Sequence, residues 1–203
     1  MEFIIYSSNL DNEQLLERNI FISPQAKICD GVKLYFGVKV YGESYIGGGS
    51  ELHSNTEIDN SRVDKNCKVY STLIKDSEIE ANCTIKPFTH ITNTKIGENG
   101  LIGNFTCIDN SSFGLNLNIY SLCSIRNVDV GNNVIIKSGV YCEPGDSSTI
   151  NIGDNVIIGP NSSLINPVII SDNVIIDANS AVSKDVEANQ RATNNIKQTN
   201  KWL

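Results

Sequence analysis

Aliphatic residues return along this chain at a step of six. In "NIGDNVIIGPNSSLINPVIISDNVIIDANSAVSKDV", residues 151–186, they stand at Ile152, Ile158, Leu164, Ile170, Ile176 and Val182. A strand repeats every two residues and a helix about every 3.6, so neither accounts for the period. Upstream the marks begin at Ile22, Ile28, Leu34 and Val40 and run on to Ile125, Val130, Ile136 and Cys142. Fixed-period self-similarity marks a solenoid, and hexads belong to parallel β-helices. Each hexad predicts one short strand and a turn, and three hexads one triangular coil. The marks predict about nine coils, a prism ~43 Å long at the usual strand spacing.

Two residues before most marks stands a small or β-branched residue, such as Val134, Val140, Ser162 and Ser180. Cys67, Cys83 and Cys123 occupy the same slot, which fits free cysteine as a small filler of an inner corner. The residues after the marks are often Gly, Asn or Asp ("IGDN", "VGNN", "IGEN"), and these are expected to supply left-handed corners. The step falls to five at 58→63, 74→79, 91→96, 108→113 and 125→130, which counting by threes places on one edge of the prism. The next passage along that edge is 142→152, where "EPGDSST" is inserted. A further step of five stands at 69→74.

The period divides the chain into a cap segment (1–21), the β-helix (22–186) and a tail (187–203). "DNEQLLER", residues 11–18, is expected to form a short helix over the open first coil, with Asn9 or Asp11 as its N-cap. The tail is polar and is expected to be extended, with Trp202 as an anchor.

Charge narrows the function. With 16 basic and 23 acidic residues in 203, the net charge is −7, and no cluster of Lys or Arg marks a nucleic-acid or anionic-membrane surface. "MEFIIYSS" does not read as a signal peptide, and no apolar run approaches a membrane span, so a cytoplasmic protein is expected. The six cysteines form no CxxC pair, and the two histidines lack ligand spacing to them. Reduced core cysteines and no metal site are expected. A zinc carbonic anhydrase on this architecture needs three histidines, more than this chain has.

Several stretches carry a resemblance. "IKDSEIEANCTIKPFTHI", "TKIGENGLIGNFTCIDNS", "VDVGNNVIIKSG" and the closing repeat are similar to the acetyltransferase domain of the bacterial bifunctional N-acetylglucosamine-1-phosphate uridylyltransferase/glucosamine-1-phosphate acetyltransferase family. The similarity runs from about residue 20 to the C-terminus. It implies an all-β, left-handed parallel β-helix, a homotrimer, and acetyl-CoA between neighbouring prisms with a sugar amine attacking the thioester. The nucleotidyltransferase domain would precede this region, so uridylyl transfer is not expected of these 203 residues.

That chemistry needs a base for the amine, cations for the sugar phosphate and donors for the thioester oxygen. By resemblance, the base position falls on Ser121 and a neighbouring tyrosine on Ser124, both in "SLCS". An arginine position falls on Thr92 in "PFTHITN", and a lysine position on Asp109 and Asn110. At the CoA end, Ala178 matches the family, Pro160 replaces a serine, and Asn195 falls where a tail arginine is expected. "EPGDSST" takes the place of a longer substrate loop. The framework is kept while nearly every charged or proton-transferring group is exchanged. A serine is no base at neutral pH without help. His90, beside the arginine position, is the one candidate near the site, expected at its rim. His53 is expected at a coil corner as a solvated side chain. Two readings follow: a β-helix that has lost the parent reaction and acts as a scaffold or partner-binding module, or a CoA-dependent sugar or amino-sugar acyltransferase with an altered acceptor.

Overall fold

In the computed structural model, which describes residues 3–6, 12–145 and 148–193, the hexads wind into three sheets. They form the faces of a prism, here A, B and C, with 11, 10 and 9 strands of two or three residues. This makes about one coil more than the step of six predicts. The pairings are parallel, except for Ile4–Ile5, which lies antiparallel on Lys33–Leu34. Register sets like on like. On face B, Ile58, Ile74, Ile91, Ile108 and Ile125 are successive Cα partners, all buried. Each such side chain contributes ~1.5–3 kcal/mol of burial. Ile22, at the open end of the first coil, is half-buried.

The corners differ in chemistry. Between faces C and A, Asn66, Asn82, Asn99, Asn116, Asn133, Asn155, Asn173 and Asn189 all adopt φ between 57° and 63°. Each of the first seven donates Nδ2–H to the next asparagine's Oδ1, at 2.9–3.4 Å. Asparagine tolerates left-handed backbone, and the ladder satisfies its amide. The left-handed residue is thus the third after the mark, not the glycine directly after it. Gly97, next to Ile96, has another reason: an added Cβ would lie 2.6 Å from the Gly114 carbonyl oxygen in the following coil.

The shortened steps do share one corner, between faces B and C, and the 143–149 insertion lies there too. At that corner Asn60, Asp76, Asn93, Asn110 and Asn127 take φ of 43° to 52°. A buried hydroxyl follows four of them. Ser61, Ser77, Thr94 and Ser111 donate to the carbonyl two residues back at 2.6–2.8 Å. Ser61 and Ser77 also accept the N–H of the next coil's hydroxyl residue, at 3.0 and 3.1 Å. The hydroxyl closes the tighter turn, and one residue fewer is needed. The 69→74 step uses the same device at the A–B corner, with Ser71 at φ 43° and Thr72 Oγ1 donating to the Tyr70 carbonyl at 2.8 Å.

A helix, Asn12–Glu17, stands before the first coil, and Leu15, Ile4 and Tyr6 pack against the core. Asn9 and Asp11 lie outside the described residues. The winding continues past Val186, which bridges Ile170, and Arg191–Ala192 joins face A. Trp202 lies outside the described residues. All six cysteines are free thiols, and Cys67, Cys83, Cys123 and Cys142 are in the core. Cys29 is half-buried with its thiol on the Tyr45 hydroxyl, and Cys107 is exposed because its position points outward from a strand.

His53 corrects the expectation of a solvated corner. It sits on face A between Tyr35 and Tyr70, with ring centroids 4.2 and 4.0 Å away. Its Nε2 lies 3.4 Å from Glu51 Oε2 without hydrogen-bond alignment. Burial holds its pKa below the usual imidazole value, against the opposing pull of Glu51; Lys68 and Lys33 lower it further.

Two outcomes test these arguments. Asn99→Ala should lower stability by about 1–2 kcal/mol in urea unfolding, whereas Asn99→Gly should lose less because the left-handed backbone is kept. Because His53 is held neutral when folded, the unfolded chain binds the extra proton. The His53 contribution is therefore full above the unfolded pKa of about 6.5 and is lost as pH falls through the lower folded value. His53→Phe should keep the stack and remove that part of the pH slope of the unfolding midpoint.

Candidate functional site

Most of the described residues singled out by resemblance fall on the A–B corner and on face B beside it. The A–B corner carries a row built by backbone bonds from coil to coil: Pro87, Asn104, Ser121, Ser138, Pro160 and Ala178. In each coil the next residue's N–H bonds to the row member one coil earlier, as from Leu122 to the Asn104 carbonyl and from Asn179 to the Pro160 carbonyl, both 2.9 Å. Ser121, Pro160 and Ala178 are therefore aligned along one edge by the coil repeat. Ser121 Oγ accepts the Asn104 N–H at 3.2 Å. That bond stabilises the hydroxyl in place and does nothing to remove its proton.

Beside the row, the residues at positions 88, 105 and 122 form a ridge. Phe88, Phe105 and Leu122 adopt φ of 61°, 55° and 65° and are 65%, 56% and 65% exposed. Phe88 and Phe105 stack at 5.1 Å. Bulky residues in left-handed backbone cost roughly 1–2 kcal/mol each, so this corner carries strain as well as exposed apolar surface.

Face B holds two outward columns. The first sets His90, Cys107, Ser124 and Tyr141 as successive Cα partners. The second sets Lys75, Thr92, Asp109 and Arg126. Thr92 Oγ1 donates to Asp109 Oδ1 at 2.6 Å. Arg126 Nε lies 3.6 Å from Asp109 Oδ2, and its NH1 is 2.8 Å from Glu143 Oε1. Tyr141 also donates its hydroxyl to Glu143. That bond, with Arg126, holds the Glu143 carboxyl below the usual carboxylate range; the same bond raises the Tyr141 phenol, against the opposing pull of Arg126. Asn110 is turned into the neighbouring corner, its Nδ2 donating to Asn127 Oδ1.

Thus Thr92, Asp109, Ser124 and His90 share face B, while Ser121, Pro160 and Ala178 share the corner. Asn110 is a corner residue, and Asn195 lies outside the described residues. The sequence reading did not single out Arg126, Glu143, Tyr141 or Cys107 as site residues. The signal for them is a spacing of 17 from Asp109 to Arg126 and again to Glu143, one coil with a shortened corner. A CoA polyphosphate needs cations. Pro160 and Ala178 are exposed and uncharged, and Arg191 in the neighbouring coil is held by Asp177 at 2.7 Å. Lys184, in the same end coil, is an exposed cation.

No family model matches the chain. Among curated proteins, the bifunctional protein GlmU of Clostridium novyi is 32% identical over 187 residues, which is 90% of this chain and 41% of GlmU. GlmU of Caldicellulosiruptor saccharolyticus is 34% identical over 190 residues, with the same two shares of 90% and 41%. The chain thus spans less than half the length of these curated relatives. A crystal structure of a UDP-N-acetylglucosamine acyltransferase shares the fold, with a TM-score of 0.56 at 21% identity over 85% of this chain and 68% of that one. Repeat, fold and relatives agree: the chain is a hexapeptide-repeat β-helix homologous to the acetyltransferase region of GlmU.

Proposed function

We propose that this chain is a hexapeptide-repeat acyltransferase-like protein that does not carry out acetylation of glucosamine 1-phosphate. One observation carries the reading. The column where a sugar phosphate would be held contains Asp109 and Glu143 around one guanidinium, Arg126, already engaged by both. Lys75, in the same column, is drawn to Asp59 at 4.0 Å, so three carboxylates face two engaged cations, and a phosphate placed there meets repulsion. Ser121 adds the second deficit. Its hydroxyl accepts a backbone N–H, and the imidazole of His53 is locked in a stack on face A. His90 is exposed on face B, near the site and without a hydrogen bond to Ser121.

The homotrimer implied by the resemblance belongs to the same proposal, and the strained ridge of Phe88, Phe105 and Leu122 supports it. Exposed apolar residues in a costly backbone are retained where a partner surface covers them. No helix among the described residues is long and apolar enough to cross a membrane, and a cytoplasmic location is part of the proposal. The second reading, an acyl-CoA-dependent transferase with another acceptor, is favoured by the alignment of Ser121, Pro160 and Ala178 along one edge.

With acetyl-CoA and glucosamine 1-phosphate, the chain should show no turnover above background in a thiol-release assay, and Ser121→His should not restore it. Restoration by that single change would overturn the phosphate argument. Calorimetry should show no acetyl-CoA binding at millimolar ligand; binding there would select the second reading. In sedimentation the protein should run as a trimer, and Phe105→Glu should shift it toward monomer.

A further inference from the structure

Face A carries a column of side chains, one per coil, at the position after each mark: Tyr35, His53, Tyr70, Lys86, Gly103, Tyr120 and Lys137. Backbone bonds tie each to the coil that follows, such as Lys86 N–H to the Ile102 carbonyl and Gly103 N–H to the Ile119 carbonyl. The rings stack at the coil spacing, 4.2 Å from Tyr35 to His53 and 4.0 Å from His53 to Tyr70. Lysines continue the column: Lys86 Nζ is 5.3 Å from the Tyr70 centroid and Lys137 Nζ is 4.3 Å from the Tyr120 centroid. At Gly103 the column has no side chain. The gap between Lys86 and Tyr120 spans two coil spacings, ~9–10 Å, and opens as a cavity of about 220 Å³.

The gap is enforced by the fold. An added Cβ at Gly103 would lie 2.5 Å from the Ser121 backbone nitrogen, so position 103 itself supplies no side chain to fill it. What remains has a defined chemistry. The floor is the Tyr120 ring, 41% exposed, with Lys137 on its far side. The walls are Leu101, Asn104, Asn118, Ile119 and Ser121, and Lys86 stands at the upper rim. In a chain of net charge −7, none of the lining residues is acidic.

We propose that this notch binds a planar heteroaromatic ring carrying a phosphate, as a nucleotide does. The ring takes the missing level of the column and stacks on Tyr120 as His53 stacks on Tyr70. The side-chain amides of Asn104 and Asn118 reach the polar edge of the ring, and Lys86 attracts the phosphate. The volume accommodates one ring and leaves ribose and phosphate outside along the A–B corner. Adenine and pyrimidine nucleotides share this chemistry. The notch is separate from the phosphate column on face B, and it shares Asn104 and Ser121 with the row along the A–B corner.

The test is equilibrium binding of AMP and UMP to the full chain by calorimetry and saturation-transfer NMR, with ribose 5-phosphate as the ringless control. AMP or UMP should bind at least tenfold more tightly than ribose 5-phosphate. Saturation transfer should be strongest at the base protons, and whichever nucleotide binds better names the base. Tyr120→Ala should weaken binding about tenfold, and Tyr120→Trp, which preserves a ring and controls for folding, should retain it. Lys86→Ala should weaken AMP while leaving adenosine unchanged. Nucleotide binding no tighter than ribose 5-phosphate, or binding unaltered in a folded Tyr120→Ala protein, overturns the proposal.

Discussion

Everything in this molecule depends on coil-to-coil hydrogen bonding in a register that sets equivalent positions on top of one another. A parallel strand of two residues is too short to be stable alone, and its backbone groups are satisfied only by the coils on either side. The register then multiplies each local choice. One asparagine becomes a ladder of eight, one buried hydroxyl becomes a chain of serine and threonine bonds, and one outward ring becomes a stack. The same rule that builds the core therefore arranges the surface.

The three edges use this rule differently. Asparagine occupies the C–A edge, where its amide can bond both ways along the ladder. At the B–C edge the hydroxyl residues shorten the turn, and the inserted segment after Cys142 sits where length is least constrained. The A–B edge is the exception, because Phe88, Phe105 and Leu122 replace asparagine or glycine in left-handed backbone. Side chains that gain nothing from the corner they occupy are explained by what they present outward. That ridge, the Ser121 row and the gap at Gly103 lie on or next to the same edge.

Motif order names candidate residues one by one, and the winding decides which of them become neighbours. Ser121, Pro160 and Ala178 were named from motif order, and the winding placed them in one row. Thr92 and Asp109 were named separately, but their hydrogen bond was not foreseen, since it depends on a coil of 17 residues at that level. Arg126 and Glu143 escaped for the same reason: a cation one coil beyond the expected place does not match a linear motif. His53 was misread because a residue beside a turn looks solvated until rings from the coils above and below close over it. Its burial is a property of the stack and of no local stretch. The tail boundary was placed too early because Val186, Asn189 and Arg191–Ala192 keep the winding after the aliphatic period has lapsed.

By itself, the sequence determined the β-helix, its triangular coil and the edge that carries the shortened turns. Those follow from period and residue type, which act locally and repeat. Only the tertiary structure decided which side chains meet across coils. It made a negative column of Asp109, Arg126 and Glu143, a half-buried, stacked His53, and an open level at Gly103 between Lys86 and Tyr120. The physical reason is that neighbours on the surface of a solenoid are a whole coil apart in the chain. Small differences in coil length then choose the partners.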